Sequence, residues 1–167
     1  MFDPTVFDNL KVVLEGAVYD MDSEGQLQVI GRTDRIELSA MSRFYAIKFI
    51  LPEQKDTWAE LRLWADTEDL AGEIMELGSV TLGCHMQPVF FKYVRDPVTD
   101  CPRIEQLVTE IWGRHVGQTQ RISTIYGQTD ALPLNEISVH FMRRFGEEVI
   151  QDLPQMLEHM LIMLKQL

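Results

Sequence analysis

The chain has 167 residues, of which 46% are hydrophobic and 25% charged, as is typical of a soluble globular protein. Its 15 basic and 26 acidic residues give a formal net charge of −11, which argues against binding to nucleic acid or to anionic membranes. The N-terminus lacks the basic and apolar segments of a signal peptide, and the longest apolar run, residues 160–164, is too short to cross a bilayer. We therefore expect a cytoplasmic protein with a single domain over residues 1–167 and two free thiols.

The first segments predict a short helix followed by a β-hairpin. Residues 3–10 begin with an aspartate and a proline, a typical helix start. Residues 11–18 are rich in β-branched side chains, and Val12 and Leu14 would share one face of a strand. Residues 27–31 alternate in the same way, so we expect them to pair with the preceding strand.

The acidic turn of this hairpin, residues 20–25, resembles the first half of a calcium-binding loop. Position twelve of such a loop requires a bidentate glutamate, and this chain has Gly31 there. Because too few oxygen ligands remain, we predict an acidic hairpin turn that does not bind calcium.

The next segments predict three strands and a helix. Residues 31–38 are predicted to continue as an extended strand, with a bulge at Gly31. Residues 44–51 are apolar on nearly both faces, which is typical of a central strand. Residues 59–65 alternate as a half-buried strand does, and a helix capped by Thr67 and ended by Gly78 follows directly.

Residues 80–84 and 89–94 are predicted to be two further strands, separated by Pro88. Residues 104–112 carry apolar side chains at helical spacing, and one of the two glycines that follow should end this helix. Residues 118–135 are polar and give no assignment.

Residues 136–144 fit either the alternation of a strand or the spacing of a helix. We favour a strand, because Asn135 and Gly146 bound the segment. The last helix begins after Asp152, which forms a capping-box pattern with Gln155.

The C-terminal helix has an apolar arc of about 160° at 100° per residue, wider than the roughly 100° that one packed face requires. We expect it to contact more than one neighbour. Ile162 points away from the main arc and is a candidate contact with a second subunit. Together the segments predict an α+β fold, with a mainly antiparallel sheet of about five to seven strands, helices on one face and a C-terminal amphipathic helix.

The first candidate site is the polar cluster that contains Arg32, Asp34 and Arg35. Two guanidinium groups beside a glycine could bind an anion. The same residues could instead form salt bridges at a sheet edge and prevent aggregation, and we favour this second interpretation.

The second candidate is His85, which follows Cys84. Adjacent residues of a strand point to opposite faces, so the two cannot act as a nucleophile and its base. We predict that Cys84 is buried and inert, and that His85 could pair with a distant partner such as His115 or Cys101. The histidines and cysteines show no metal-ligand spacing, so we expect no metal and no cofactor.

Two tryptophans are also informative. Trp112 lies on the apolar side of its helix and should be part of the core. Trp64 faces away from Leu61 and Leu63, so either a helix covers it or it belongs to a partner or ligand surface. We favour a place in the core.

The leading functional hypothesis is a non-enzymatic cytoplasmic module that acts through protein–protein contact, as a homodimer or with another protein. The alternative is a small-molecule enzyme or ligand-binding protein, whose polar site would include Arg32, Asp34, Arg35 and His85.

Overall fold

The computed structural model describes residues 5–76 and 83–167. Within these residues the chain has an α+β fold, with four helices and an antiparallel six-stranded sheet in the order β1-β2-β3-β4-β6-β5. The strands are β1 (Gln28–Glu37), β2 (Ser42–Leu51), β3 (Gln54–Ala65), β4 (His85–Tyr93), β5 (Gly117–Ser123) and β6 (Leu134–His140). The helices are α1 (Thr5–Ser23), α2 (Thr67–Ile74), α3 (Pro97–Trp112) and α4 (Leu153–Gln166), and a 3-10 turn at Glu147–Gln151 precedes α4.

The N-terminal segment departs most from the sequence prediction. Helix α1 continues to Ser23, so the strand predicted for residues 11–18 and its hairpin with residues 27–31 are wrong. Residues 28–31 do form a strand, but as part of β1, which pairs with β2. The fully buried side chains of α1 recur every three or four residues, which is the period of a helix and not of a strand. The valines of this segment favour strands intrinsically, but packing of the apolar stripe against the sheet outweighs that preference. The buried residues are Phe7, Leu10, Leu14 and Val18.

The acidic segment, residues 20–25, was predicted as a hairpin turn. It instead forms the last turn of α1 and the turn that follows. Gly25 adopts a φ of 75°, which favours glycine, and so reverses the chain toward β1. One carboxylate oxygen of Asp22 accepts a hydrogen bond from the Val29 amide at 2.9 Å. This acidic side chain therefore joins α1 to the start of β1.

Strands β2 and β3 form a large part of the covered sheet face. Tyr45 lies opposite Leu63, and Ile47 lies opposite Leu61. All four side chains are fully buried. Helices α1 and α4 both contact these two strands, so the core lies between the helices and this face.

Helix α4 contacts α1, α3, β2 and β3. The prediction that it contacts more than one neighbour is confirmed, and neighbours within the chain account for its wide apolar arc. Ile162 is half-buried, and its predicted contact with a second subunit stays a prediction. The Asp152 side chain makes no capping hydrogen bond, so the expected capping box is not formed. The buried residues of α4 are Leu153, Met156, Leu157, Met160, Leu161, Met163 and Leu164.

Strand β4 is one continuous strand from His85 through Pro88, where two strands were predicted. Pairing of β4 with β6 begins only at Val89, so the missing N–H group of Pro88 removes no bond from that ladder. Cys84 is held by an isolated bridge to Phe145. The predicted strand residues 80–82 lie outside the described residues.

Other predictions concern the ends of elements. Strand β6 confirms the strand favoured for residues 136–144 as far as His140, whereas residues 141–144 are not in a strand. The register shift after Val29 confirms the bulge next to Gly31. Gly113, with a φ of 92°, ends α3 as expected. Asp66 rather than Thr67 is the N-cap of α2, and the expected stop at Gly78 lies outside the described residues.

The helical assignment of residues 11–18 can be tested by substituting Val12 and Leu14. In a strand both side chains would lie on one face, so the two substitutions would have similar effects on stability. We expect Leu14→Ala to lower the free energy of unfolding by about 2–5 kcal/mol, because a fully buried leucine leaves a cavity. Val12→Ala should change it little, because Val12 is 65% exposed. Urea unfolding followed by circular dichroism measures both. Equal losses in the two variants would contradict the helix.

Candidate functional site

A row of four side chains crosses the sheet on the face opposite the core. Arg35 lies opposite Phe44, Phe44 opposite Trp64, and Trp64 opposite His85. Residues directly opposite each other in antiparallel strands point to the same face, so these side chains form one cross-strand row. The burial of β3 alternates between buried and half-buried positions toward its end, which shows that this second face is partly open.

Contacts along the cross-strand row are aromatic and cationic. The guanidinium carbon of Arg35 lies 4.3 Å from the centre of the Phe44 ring. The Trp64 and His85 rings stack with centres 4.8 Å apart and an angle of 6° between their planes. Trp64 is half-buried, so the expectation that it belongs to the core is wrong. The His85 ring covers one side of its indole.

At the end of the row, His85 belongs to a cluster with Asp66, Asp69 and Arg144, called here the His85 cluster. Arg144 Nη1 donates a hydrogen bond to His85 Nδ1 at 2.8 Å. His85 Nε2 lies 3.3 Å from Asp66 Oδ2 and 3.8 Å from Asp69 Oδ2. Arg144 Nε also lies 3.3 Å from Asp69 Oδ1. The start of α2 holds the two carboxylates in place, since the Asp66 amide donates to Asp69 Oδ2 at 3.1 Å.

The hydrogen bond from Arg144 determines the form of the histidine. Because Arg144 donates to Nδ1, that nitrogen must carry a lone pair, and the proton of the neutral ring sits on Nε2. Burial lowers the pKa of His85, and the positive charge of Arg144 lowers it further, whereas Asp69 and Asp66 oppose this change. His85 is therefore neutral at pH 7.

The ligand atoms of Asp66, Asp69 and His85 lie within 4.8 Å of one another, close enough to be considered as a metal site. The geometry opposes this use. His85 Nε2 carries the proton rather than a free lone pair, and the Arg144 guanidinium pairs with Asp69 and would repel a cation. The cluster also contains no hydroxyl or thiol nucleophile. The His85 cluster instead fixes the position of the Arg144 guanidinium and of the His85 ring that stacks on Trp64.

The structure separates the four residues predicted as a possible site. Arg35 and His85 lie in the same cross-strand row. Arg32 and Asp34 lie toward α1, where Arg32 pairs with Glu15, and Asp34 lies 2.7 Å from Lys11 Nζ. These pairs resemble the salt-bridged edge favoured from the sequence rather than an open anion site.

Sequence reasoning missed several members of this region. The expected partners of His85, His115 and Cys101, are not those that the structure shows, because Arg144 and the carboxylates of α2 surround the ring. Neither Phe44 nor Arg144 was predicted as a site residue. The signal that could have found Phe44 is the strand register, since β2 and β3 alternate clearly enough to be aligned across their turn.

A cavity of about 350 Å³ borders the row. Two arginines and two carboxylates line it, so it carries no net charge that would select a charged ligand. These charged residues are Arg35, Arg43, Glu37 and Asp66.

Cys84 lies on the core side of the same strand end. It is 2% exposed, which confirms the predicted burial, and burial raises the pKa of its thiol to about 12. Only the thiolate reacts readily, so Cys84 should be inert. We expect a thiol reagent at pH 8 to modify Cys101, which is half-buried, before Cys84 in the native protein. Mass spectrometry of the digested protein reports both sites, and rapid native labelling of Cys84 would contradict this assignment.

The environment of His85 predicts how it titrates. By NMR, its midpoint should lie below the ordinary value of 6.5, and Arg144→Leu should raise that midpoint by removing the adjacent positive charge. As the pH falls, His85 is protonated at a higher pH in the unfolded chain than in the folded protein. His85 therefore lowers the free energy of unfolding as the pH falls below about 6.5, and contributes no pH dependence well above it.

A His85 midpoint that does not move in Arg144→Leu would refute the proposed contact.

None of the helices within the described ranges 5–76 and 83–167 combines the length and apolar character that a membrane crossing requires. In comparisons with known proteins, no family model, no curated protein and no solved structure matches the chain.

Proposed function

We propose that the protein is a non-enzymatic cytoplasmic interaction module that assembles as a homodimer through the free edge of β1. The observation that carries this proposal is the pattern of charged and apolar side chains along that edge. Strand β1 is the first strand of the sheet order and is hydrogen-bonded to β2 alone among the described strands. Its ten residues leave one side of the backbone open to a further strand.

Exposed apolar side chains accompany this edge. Ile30 is 46% exposed and Ile36 is 55% exposed. Leu38 and Met41, in the turn from β1 to β2, are 79% and 48% exposed. An edge strand with unpaired backbone N–H and C=O groups and exposed apolar side chains is suited to pairing with a strand of a partner.

The charges select a second copy of this chain as that partner. In an antiparallel pair of β1 strands with the two-fold axis at Thr33, Arg32 faces Asp34 of the second copy, and this contact occurs twice. The same register places Ile36 opposite Ile30 of the second copy. A register shifted by one position would place Arg32 opposite Arg35 and bring like charges together.

Contacts within the chain already hold these charged groups in place. Glu15 pairs with Arg32, and Lys11 pairs with Asp34, so α1 orients both side chains along the edge. Charged edge strands usually discourage pairing. Here the signs alternate so that one register is complementary and its neighbour is repulsive, which gives specificity rather than general aggregation.

The His85 cluster supports a non-enzymatic function. Arg144 pairs with Asp69, and the imidazole nitrogens face Arg144 and Asp66. The cross-strand row that it ends is a rigid surface on the same sheet, and it would lie on both subunits of the dimer.

A cysteine placed on the two-fold axis tests this dimer. In a Cys101→Ser background, Thr33→Cys should form an intermolecular disulfide under mild oxidation. The two copies of residue 33 would have Cα atoms about 4.5–5.5 Å apart, within the range of about 4.4–6.8 Å that a disulfide spans. Non-reducing electrophoresis measures the cross-linked fraction.

Arg35→Cys in the same background is the matched control, because the two copies of residue 35 would lie about 13 Å apart along the strands. Sedimentation of the protein without introduced cysteines measures its oligomeric state in the absence of cross-linking. In this measurement, Ile36→Lys should convert the dimer to a monomer. A monomeric parent protein, or equal cross-linking at positions 33 and 35, would refute the β1 dimer.

A further inference from the structure

A cavity of about 460 Å³ lies where the end of α3, the chain after β6 and the first turns of α4 meet. Trp112, Phe141 and Met156 supply much of its apolar wall, and Met142, which is 88% exposed, lies at the cavity surface. Small-molecule sites are typically concave, about 300–1,000 Å³ in volume, and mostly apolar with a few polar groups. The cavity has these properties, and none of its residues lies on β1.

Trp112, which lines this cavity, has an unused hydrogen-bond donor. The residue is 8% exposed, and its ring makes edge contacts with Phe141 and His159, with ring centres 5.9 and 5.5 Å apart. Its indole Nε1 is buried and has no hydrogen-bond partner in the described part of the chain. A buried indole N–H normally has an acceptor. An acceptor on a molecule held against Trp112 would supply the missing bond.

A cation lines the same cavity. The guanidinium of Arg143 lines the cavity and lies 4.7 Å above the Phe145 ring. Its charge contributes to the lowered pKa of the Glu148 carboxyl, but no carboxylate of residues 5–76 or 83–167 lies within 4.0 Å of it. One carboxylate, Asp152, also lines the cavity, but it lies beyond ion-pairing distance of Arg143. The unpaired guanidinium and the unbonded indole N–H together call for a ligand with strong acceptor atoms.

We propose that this cavity binds a small amphipathic carboxylate. The apolar body of the ligand lies against Trp112 and Met156, and its carboxylate lies on Arg143. A carboxylate offers acceptors only, so it matches donors that the protein leaves unused. Because Asp152 would repel a second negative charge, the site is suited to a monocarboxylate rather than a dicarboxylate.

The experiment uses octanoate as the probe and the indole N–H signals of the three tryptophans as reporters. In an NMR titration, the Trp112 signal should shift in a saturable manner, while those of Trp58 and Trp64, on the opposite sheet face, should not. Each signal is assigned with a Trp→Phe variant. Octylammonium has the same chain with the opposite charge, and we expect it to bind at least tenfold more weakly than octanoate.

Arg143→Gln should weaken octanoate binding by about tenfold or more, the usual consequence of losing a charge-assisted hydrogen bond. Arg103→Gln is the matched control: it removes an arginine of α3 whose side chain is 68% exposed and lies outside this cavity. It should leave the affinity unchanged. An unshifted Trp112 signal, equal binding of octylammonium, or an unchanged affinity in Arg143→Gln would each overturn the proposal.

Discussion

The register between β2 and β3 is the constraint on which the rest of the structure depends. Side chains alternate across a sheet, so a slip by one residue would exchange its two faces. The observed register places Tyr45 with Leu63 under the helices and, on the other face, Phe44 with Trp64. The hydrophobic core and the cross-strand row are therefore two results of one alignment. Burial of the core side chains determines the alignment, because their loss from the covered face would remove most of the apolar packing.

Much of this fold follows from the apolar pattern of the sequence. The strands around residues 44–51 and 59–65 and the helices at residues 104–112 and 152–167 each have one strongly apolar face, and each was predicted. Helix α1 was not, because its valines suggested a strand and because Val12 and Leu14 were assigned to one face. The buried spacing from Phe7 to Val18 was visible in the sequence. The sequence did not show which apolar side chains pack against the sheet. This spacing could therefore not be separated from the alternation of Val12 and Leu14.

The candidate site was less accessible to such reasoning. The alternation that placed Cys84 in the core and His85 on the other face depends only on neighbouring residues, and Cys84 is buried as expected. The partners of His85 depend on how distant segments meet. Arg144 is 59 residues away in the sequence and reaches His85 because the bridge between Cys84 and Phe145 joins their segments. No local pattern encodes this contact, so neither Arg144 nor the connection to Arg35 could be derived from spacing.

Helix α1 is in contact with the opposite end of the chain. It packs on the 3-10 turn at Glu147–Gln151 and on α4, and Asn9 Nδ2 donates to Glu147 Oε1 at 2.6 Å across 138 residues of sequence. Closing so long a loop is entropically costly and slows folding. During synthesis, β2 and β3 leave the ribosome long before α4 exists to cover them. Helix α1 is already present, but the part of the sheet face that α4 covers stays exposed until translation is nearly complete, a state in which aggregation competes with folding.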